Sequence, residues 1–244
     1  MKKLNILFFL TVTIFVNSQS FNRFFYVLKY QPKKSDTAKS EADFVLDIHG
    51  NQSVFRDYHT VSQDSLISQG LKYLKQTSEN NMEKLGVKEP VFTFKIVKTP
   101  NETVTTDMIG FDSYQYSETE KLNWQILPET KNLYGLKCQK ATANAFGRNW
   151  IAWFTTDFPY SDGPYKFSGL PGLIVDIKDD ANSYHFYFAG NRINQPIQNY
   201  LWDVLFTKKT IQTTKDKFLK IEEKGPYSNS FYEVRIILIP KPGR

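Results

Sequence analysis

Among the chemically capable side chains between positions 138 and 166 are the thiol of Cys138, the guanidinium of Arg148, the carboxylate of Asp157 and the ammonium of Lys166. A nucleophile with charged partners is what an enzyme would need, and catalysis by Cys138, Arg148 and Asp157 is the reading these residues permit. The surrounding pattern gives it little support. No GxSxG elbow occurs, Ser168-Gly169 lacks the glycine two places before the serine, and neither GxGxxG nor GxxxxGK[ST] is present to cradle a phosphate. A lone cysteine is most often a small buried apolar residue, and an isolated Arg and Asp most often form an ion pair or a solvated edge. His49, His59 and His185 each lack a neighbouring His or Cys at ligand spacing, and Asp176, Asp179 and Asp180 lack the ordered oxygen ligands of a calcium loop. No catalytic residue, metal ligand or cofactor is assigned.

What must position these groups is the stretch Gly163 to Asp176, reading GPYKFSGLPGLIVD. Gly163, Pro164, Gly169, Leu170, Pro171 and Gly172 precede the apolar Leu173 and Ile174. Proline sets φ and glycine permits the positive φ that other residues avoid, so the segment predicts a rigid loop feeding a buried strand. On either side the sequence alternates with strand periodicity. Phe24, Tyr26, Leu28 and Tyr30 mark a first strand. Phe44 to Ile48 and Val54 to Tyr58 form a hairpin through Gly50-Asn51. Strands follow at Val91–Lys98, Thr103–Met108, Phe111–Tyr116 and around Leu122, Trp124 and Ile126. Leu136–Ala145 and Trp150–Phe154 make the clearest hairpin, and Leu173–Ile177 returns through Tyr184, Phe186 and Phe188. One long helix is expected from Val61 to Leu85, with Thr60 and Gln63 as a capping box and Gly86 as its stop. A short helix from Thr213 or Thr214 to Glu223 and a strand over Tyr232–Ile239 close the chain. Asn51-Gln-Ser and Asn101-Glu-Thr, which match the glycosylation pattern, read as surface turns.

At the start, Lys2, Lys3, the apolar run Leu4 to Val16 and the small residues before Gln19 form an export signal over residues 1–18 that is too short to span a bilayer. No cysteine follows it to carry a lipid. The mature chain, residues 19–244, is expected to be one exported domain without a transmembrane segment, in the periplasm, at the periphery of the outer membrane or outside the cell. Removing Lys2 and Lys3 lowers the formal charge from +6 to +4. Lysines and acids interleave along the chain, which argues against nucleic acid as a partner.

Beyond the loop, Trp124 with Ile126, GLKCQKA at Gly135–Ala141, Gly147-Arg148, Ala152-Trp153-Phe154-Thr155, Asp157–Pro159 and Gly163–Phe167 stand in order before GLPGLI at Gly169–Ile174. In these blocks the chain resembles the GLPGLI family of exported bacterial proteins, also called Porph_ging. The resemblance implies an envelope protein of bacteria with an outer membrane, and it carries over no catalytic residue. The C-terminal Pro240-Lys241-Pro242-Gly243-Arg244 departs from the family's tail.

The expected fold is β-rich α+β: a single curved antiparallel meander, barrel-like and half open, packed on the long helix. The expected role is non-enzymatic binding of an apolar ligand or an envelope partner segment in the concave sheet, lined by Phe24, Tyr26, Phe92, Phe94, Trp150, Trp153, Phe186 and Phe188. An accessory role in outer-membrane transport or secretion, and an enzyme at Cys138, are the alternatives.

Overall fold

The computed structural model describes residues 20–31, 38–61, 90–196 and 210–224. The export signal, the helix expected after Val61, the strand at Tyr232–Ile239 and the C-terminal tail lie outside them. The described elements are β1 (Ser20–Tyr30), β2 (Ser40–His49), β3 (Gln52–Asp57), β4 (Lys95–Lys98), β5 (Thr103–Ile109), β6 (Asp112–Glu118), β7 (Gln125–Leu133), β8 (Leu136–Ala145), β9 (Arg148–Thr155), β10 (Leu173–Asp179), β11 (Tyr184–Pro196), β12 (Ile211–Gln212) and α1 (Lys215–Lys224). A helical turn at 58–61 follows β3. Among the described residues no long helix packs on the sheet.

The strands form one open sheet of twelve in the order β12-β6-β5-β4-β3-β2-β1-β11-β10-β9-β8-β7. The expected single meander is therefore two. The chain runs outward from β1 to β6, restarts at the opposite edge with β7, and works inward until β11 pairs with β1 from Ser20↔Pro196 to Tyr30↔Tyr184. All neighbours are antiparallel except β12, which lies parallel to β6. β1 became the central strand because it alternates cleanly and is long enough to hold a partner on each side. Phe24, Leu28 and Tyr30 bury one face while Phe25, Val27 and Lys29 stay half-exposed on the other.

Several strand boundaries differ from the sequence reading, two of them for reasons the contacts show. β4 begins at Lys95 rather than Val91, because the amides of Val91 and Phe92 are taken by the Asp57 carboxylate, each at 3.1 Å. The strand read around Leu122–Ile126 begins only at Gln125, and Trp124 ahead of it turns its indole Nε1 to donate to Ser168 O at 2.8 Å. At its far edge β7 shifts register between Ile126 and Thr130, where Pro128 sits, so this edge is a poor template for a further strand.

The inner face is aromatic. Phe44 and Phe55 stack at 4.9 Å, and Phe44 meets Phe186 edge-on at 6.0 Å. Of the eight rings expected to line a groove, seven are instead filled in: Phe24, Tyr26, Phe92, Phe94, Trp150, Phe186 and Phe188 are at most 8% exposed. Trp153 alone is on the outer side, half-buried beneath the Lys131 ammonium at 3.9 Å. α1 is capped by Thr214, whose Oγ1 accepts from Lys217 N at 3.4 Å, and buries Phe218 on Tyr116 at 4.8 Å as a satellite cluster.

Candidate functional site

The connection from β9 to β10, residues 156–172, does not run over the surface as a loop ordinarily would. It lies against the concave face of the sheet. β4 and β10 stand five places apart in the strand order, roughly 24 Å on a flat sheet, yet Lys98 of β4 bonds to Gly163 O, and Gly163 packs against Ile174 of β10. The sheet is therefore curled around its own loop, and Phe167 and Tyr165 are the side chains that plug it. Phe167 meets Trp150 at 4.6 Å, while Tyr165 meets Phe94 at 5.8 Å and Phe146 at 5.7 Å.

Polar bonds tie the segment and the start of β10 to β1, β4 and β6. Lys98 Nζ donates to Gly163 O at 2.6 Å and Tyr165 O at 3.0 Å and pairs with Asp162 at 2.5 Å. Tyr26 Oη of β1 donates to Ile174 O at 2.8 Å. Asn22 Nδ2 donates to Tyr160 Oη at 2.6 Å. Lys166 Nζ donates to Tyr116 Oη at 2.8 Å and pairs with Glu118 of β6, which Lys215 of α1 also holds. Burial pulls the Lys98 and Lys166 ammoniums below the usual lysine range, and Asp162 and Glu118 respectively resist that shift. Burial alone would raise Glu118; the two lysines reverse it and leave the carboxyl below its ordinary value.

The glycines serve two purposes. Gly169 has φ +99°, the use the sequence suggested. Gly163 and Gly172 are needed for room: a Cβ would stand 2.8 Å from Ile174 Cβ at the first and 2.2 Å from Thr155 O at the second.

Between this segment and the strand turns opens a cleft of about 640 Å³, within the size range of ligand sites. Its walls are the turn at Gly50–Gln52, the turn at Thr99–Thr103, the stretch Glu118–Leu122, Phe146, and Pro159–Asp162 with Lys166, Ser168 and Gly169. Asn51, Gln52, Asn101, Thr119 and Ser161 are exposed at the rim, together with the charged Glu102, Glu120 and Lys121. Asn51 and Asn101 sit in turns, as their sequence context suggested. The charges deepest in the cleft, Lys98 and Lys166, are the ones already tied to the segment.

Of the candidate polar residues only Lys166 reaches this cleft. Cys138 is 1% exposed in β8, its Sγ donating to Leu136 O at 3.5 Å, and burial pushes the thiol up, with the charge of Asp157 adding to the effect. Arg148 opens β9 and Asp157 lies beyond its end, more than seven strand steps and roughly 23 Å away. Arg148 donates to Asp179 at 2.5 Å and lies 5.0 Å over the Tyr184 ring, beside a smaller recess of about 370 Å³. The structure thus does not bring Cys138, Arg148 and Asp157 together. On the outer face Asp176 accepts from Tyr134 Oη at 2.7 Å and bonds His185 Nε2 at 2.9 Å, which holds the carboxyl below its ordinary range against the effect of burial. Among the described residues no group of three or more His, Cys, Asp or Glu is placed to hold a metal ion, and no helix is long and apolar enough to cross a membrane.

Sequence reasoning missed Lys98, Asp162 and Glu118. For Lys98 the signal was legible. It continues the inward register of Phe92, Phe94 and Ile96, and a lysine at the buried phase of an alternating strand requires partners in the interior.

Among solved structures, two of PNGF-II share this fold. In the C2 space group the TM-score is 0.56 at 11% identity, covering 83% of this chain and 32% of that one. In the P21 space group the TM-score is 0.55 at 10% identity, covering 83% and 33%. At such identity the likeness is one of fold, and the chain spans about a third of the length of those structures. No curated protein matches the chain. Residues 147–176, from the β8–β9 turn through the pinned segment into β10, match the family model described as "Protein of unknown function (Porph_ging)", the family that the GLPGLI blocks resemble.

Proposed function

We propose that this chain is an exported, non-enzymatic module of the cell envelope that works by binding, and that the polar cleft beside the GLPGLI segment is its binding surface. One observation carries this reading. The cleft wall is held rigid by Lys98 and Lys166, whose ammoniums are committed to the segment's own carbonyls, to Asp162 and to Glu118. A wall built this way is preorganised, which favours binding, and its two buried ammoniums are neutralised by Asp162 and Glu118 instead of being poised as acid or base. An apolar ligand inside the sheet finds less support, since the rings that would line its site pack on each other and on Phe167. The ligand that fits the rim is polar and makes hydrogen bonds with amides and hydroxyls. That the same fold occupies about a third of a larger chain in PNGF-II supports the reading as a module serving a larger assembly.

The test follows backbone and Asn side-chain NMR resonances of the mature protein while lipid, glycan and peptide pools from the envelope of the producing cell are added separately. Shifts confined to Asn51, Asn101, Ser161 and their neighbours with a glycan or peptide pool are expected. Shifts of the core rings with the lipid pool would restore the apolar reading. No response from the cleft to any pool, or turnover of a pool component, would end this one.

A further inference from the structure

The way Lys98 is held is unusual for a structural ion pair. Its side chain enters from β4 at 5% exposure, and its ammonium meets the carboxylate of Asp162 and the carbonyl oxygens of Gly163 and Tyr165, with Phe167 O at the outer limit of 3.5 Å. Carbonyls at every second position along an irregular segment do not converge on one point by default. They do so here because Tyr165 takes φ +52°, a left-handed conformation that a tyrosine rarely adopts, and because Gly163 allows the close approach to Ile174 that starts the turn. Asp162 is fixed in turn by accepting from Gly163 N at 2.7 Å. The result has the form of a cation receptor, with carbonyl dipoles and one carboxylate around a buried centre. An ammonium, with three protons and no acceptor, is matched to it.

We infer that residues 162–167 are a receptor for one ammonium-type monovalent cation, with the Lys98 ammonium as its resident occupant, and that the GLPGLI segment takes its shape only when this receptor is filled. The inference is independent of what the cleft binds. Without the cation, the converging carbonyl oxygens would be left buried without a donor and the Asp162 carboxylate without its counter-charge, which folded chains avoid. The receptor would form again around any cation of suitable size. Lys98 is thus a positioning residue for the cleft wall, acting through Asp162, Gly163 and Tyr165.

Lys98→Ala removes the three methylenes and the ammonium that n-propylammonium restores as a separate molecule. Loss of the buried pair should lower Tm by on the order of 10 °C. n-Propylammonium chloride should recover at least half of that loss in Lys98→Ala and none in Lys98→Met, where the apolar stem blocks the site. Tetramethylammonium chloride at equal ionic strength should recover none in either. Equal recovery in the two variants, equal recovery with both salts, or no recovery would overturn the inference. If Lys98→Ala does not fold alone, refolding yield with and without each salt is read against the same criteria. The native chain supplies a second check: proton–nitrogen correlation spectra should show an ammonium signal protected from exchange that is lost in Lys98→Met. A Lys98 ammonium exchanging at the rate of an exposed lysine would equally refute the proposal.

Discussion

Gly172→Ala is the substitution whose cost follows most directly from the structure. The added Cβ would lie 2.2 Å from Thr155 O and 2.7 Å from Thr155 C, where ordinary contact begins at 3.4 Å, so the two strands must part by about 1.2 Å. The obstacle is main chain, and no rotamer change relieves it. Overpacking of this kind costs about 1–3 kcal/mol. Parting the strands also weakens the Leu173↔Thr155 pair that opens the β9–β10 ladder and the bond from Leu173 N to Phe158 O at 3.2 Å, roughly 1 kcal/mol for each hydrogen bond lost. Against this, replacing glycine by alanine restricts the unfolded chain and returns about 0.5–1 kcal/mol. The balance is a destabilisation of about 3 kcal/mol, equivalent to a Tm lower by roughly 6–12 °C in a domain of this size. Urea unfolding followed by tryptophan fluorescence measures it, with a circular dichroism melt as the second probe. A Gly172→Ala protein within 1 kcal/mol of the native chain would mean that the close passage of the segment over β9 is not what holds it.

Three further outcomes test other contacts. Tyr26→Phe removes the buried donor to Ile174 O without changing the ring packing, and should cost about 1–2 kcal/mol in the same assay; no change would mean the carbonyl finds another partner. Glu118 and Asp176 both titrate below their ordinary values in the fold, so their contribution is full above the unfolded carboxyl pKa, about 4.3 for Glu, and is lost as pH falls through the folded values. Stability should therefore drop on acidification below that point, and less steeply in Glu118→Gln; an identical slope in the variant would remove Glu118 from the account. Native Cys138 should react with a thiol reagent only at the rate of unfolding, because the thiol is buried and its pKa is raised, and rapid labelling in the native state would reopen the enzymatic reading.

Local pattern in this chain translated directly into local structure. The alternation of Phe24, Tyr26, Leu28 and Tyr30, the Leu136–Thr155 hairpin and the return through Tyr184, Phe186 and Phe188 are strands in the structure because period-two burial and turn residues are short-range properties. The order of those strands was not local. That β11 would join β1 depends on pairing two long strands separated by most of the chain, and nothing in either strand names its partner.

The same division applies to the candidate site. Composition and spacing identified the Pro- and Gly-rich segment as a rigid loop feeding a buried strand, and the resemblance to the GLPGLI family marked Lys166 as a capable group within it. Only the tertiary structure decided that the sheet curls inward on that segment, that Gly163 and Gly172 are there for space rather than for φ, and that Lys98 supplies the charge on which its carbonyls converge. Hydrogen bonds spanning 48 to 148 residues, from Lys166 to Glu118 and from Tyr26 to Ile174, leave no periodic trace in the sequence. Their partners become neighbours only after the strands have paired, and so the chemistry of the cleft belongs to the fold.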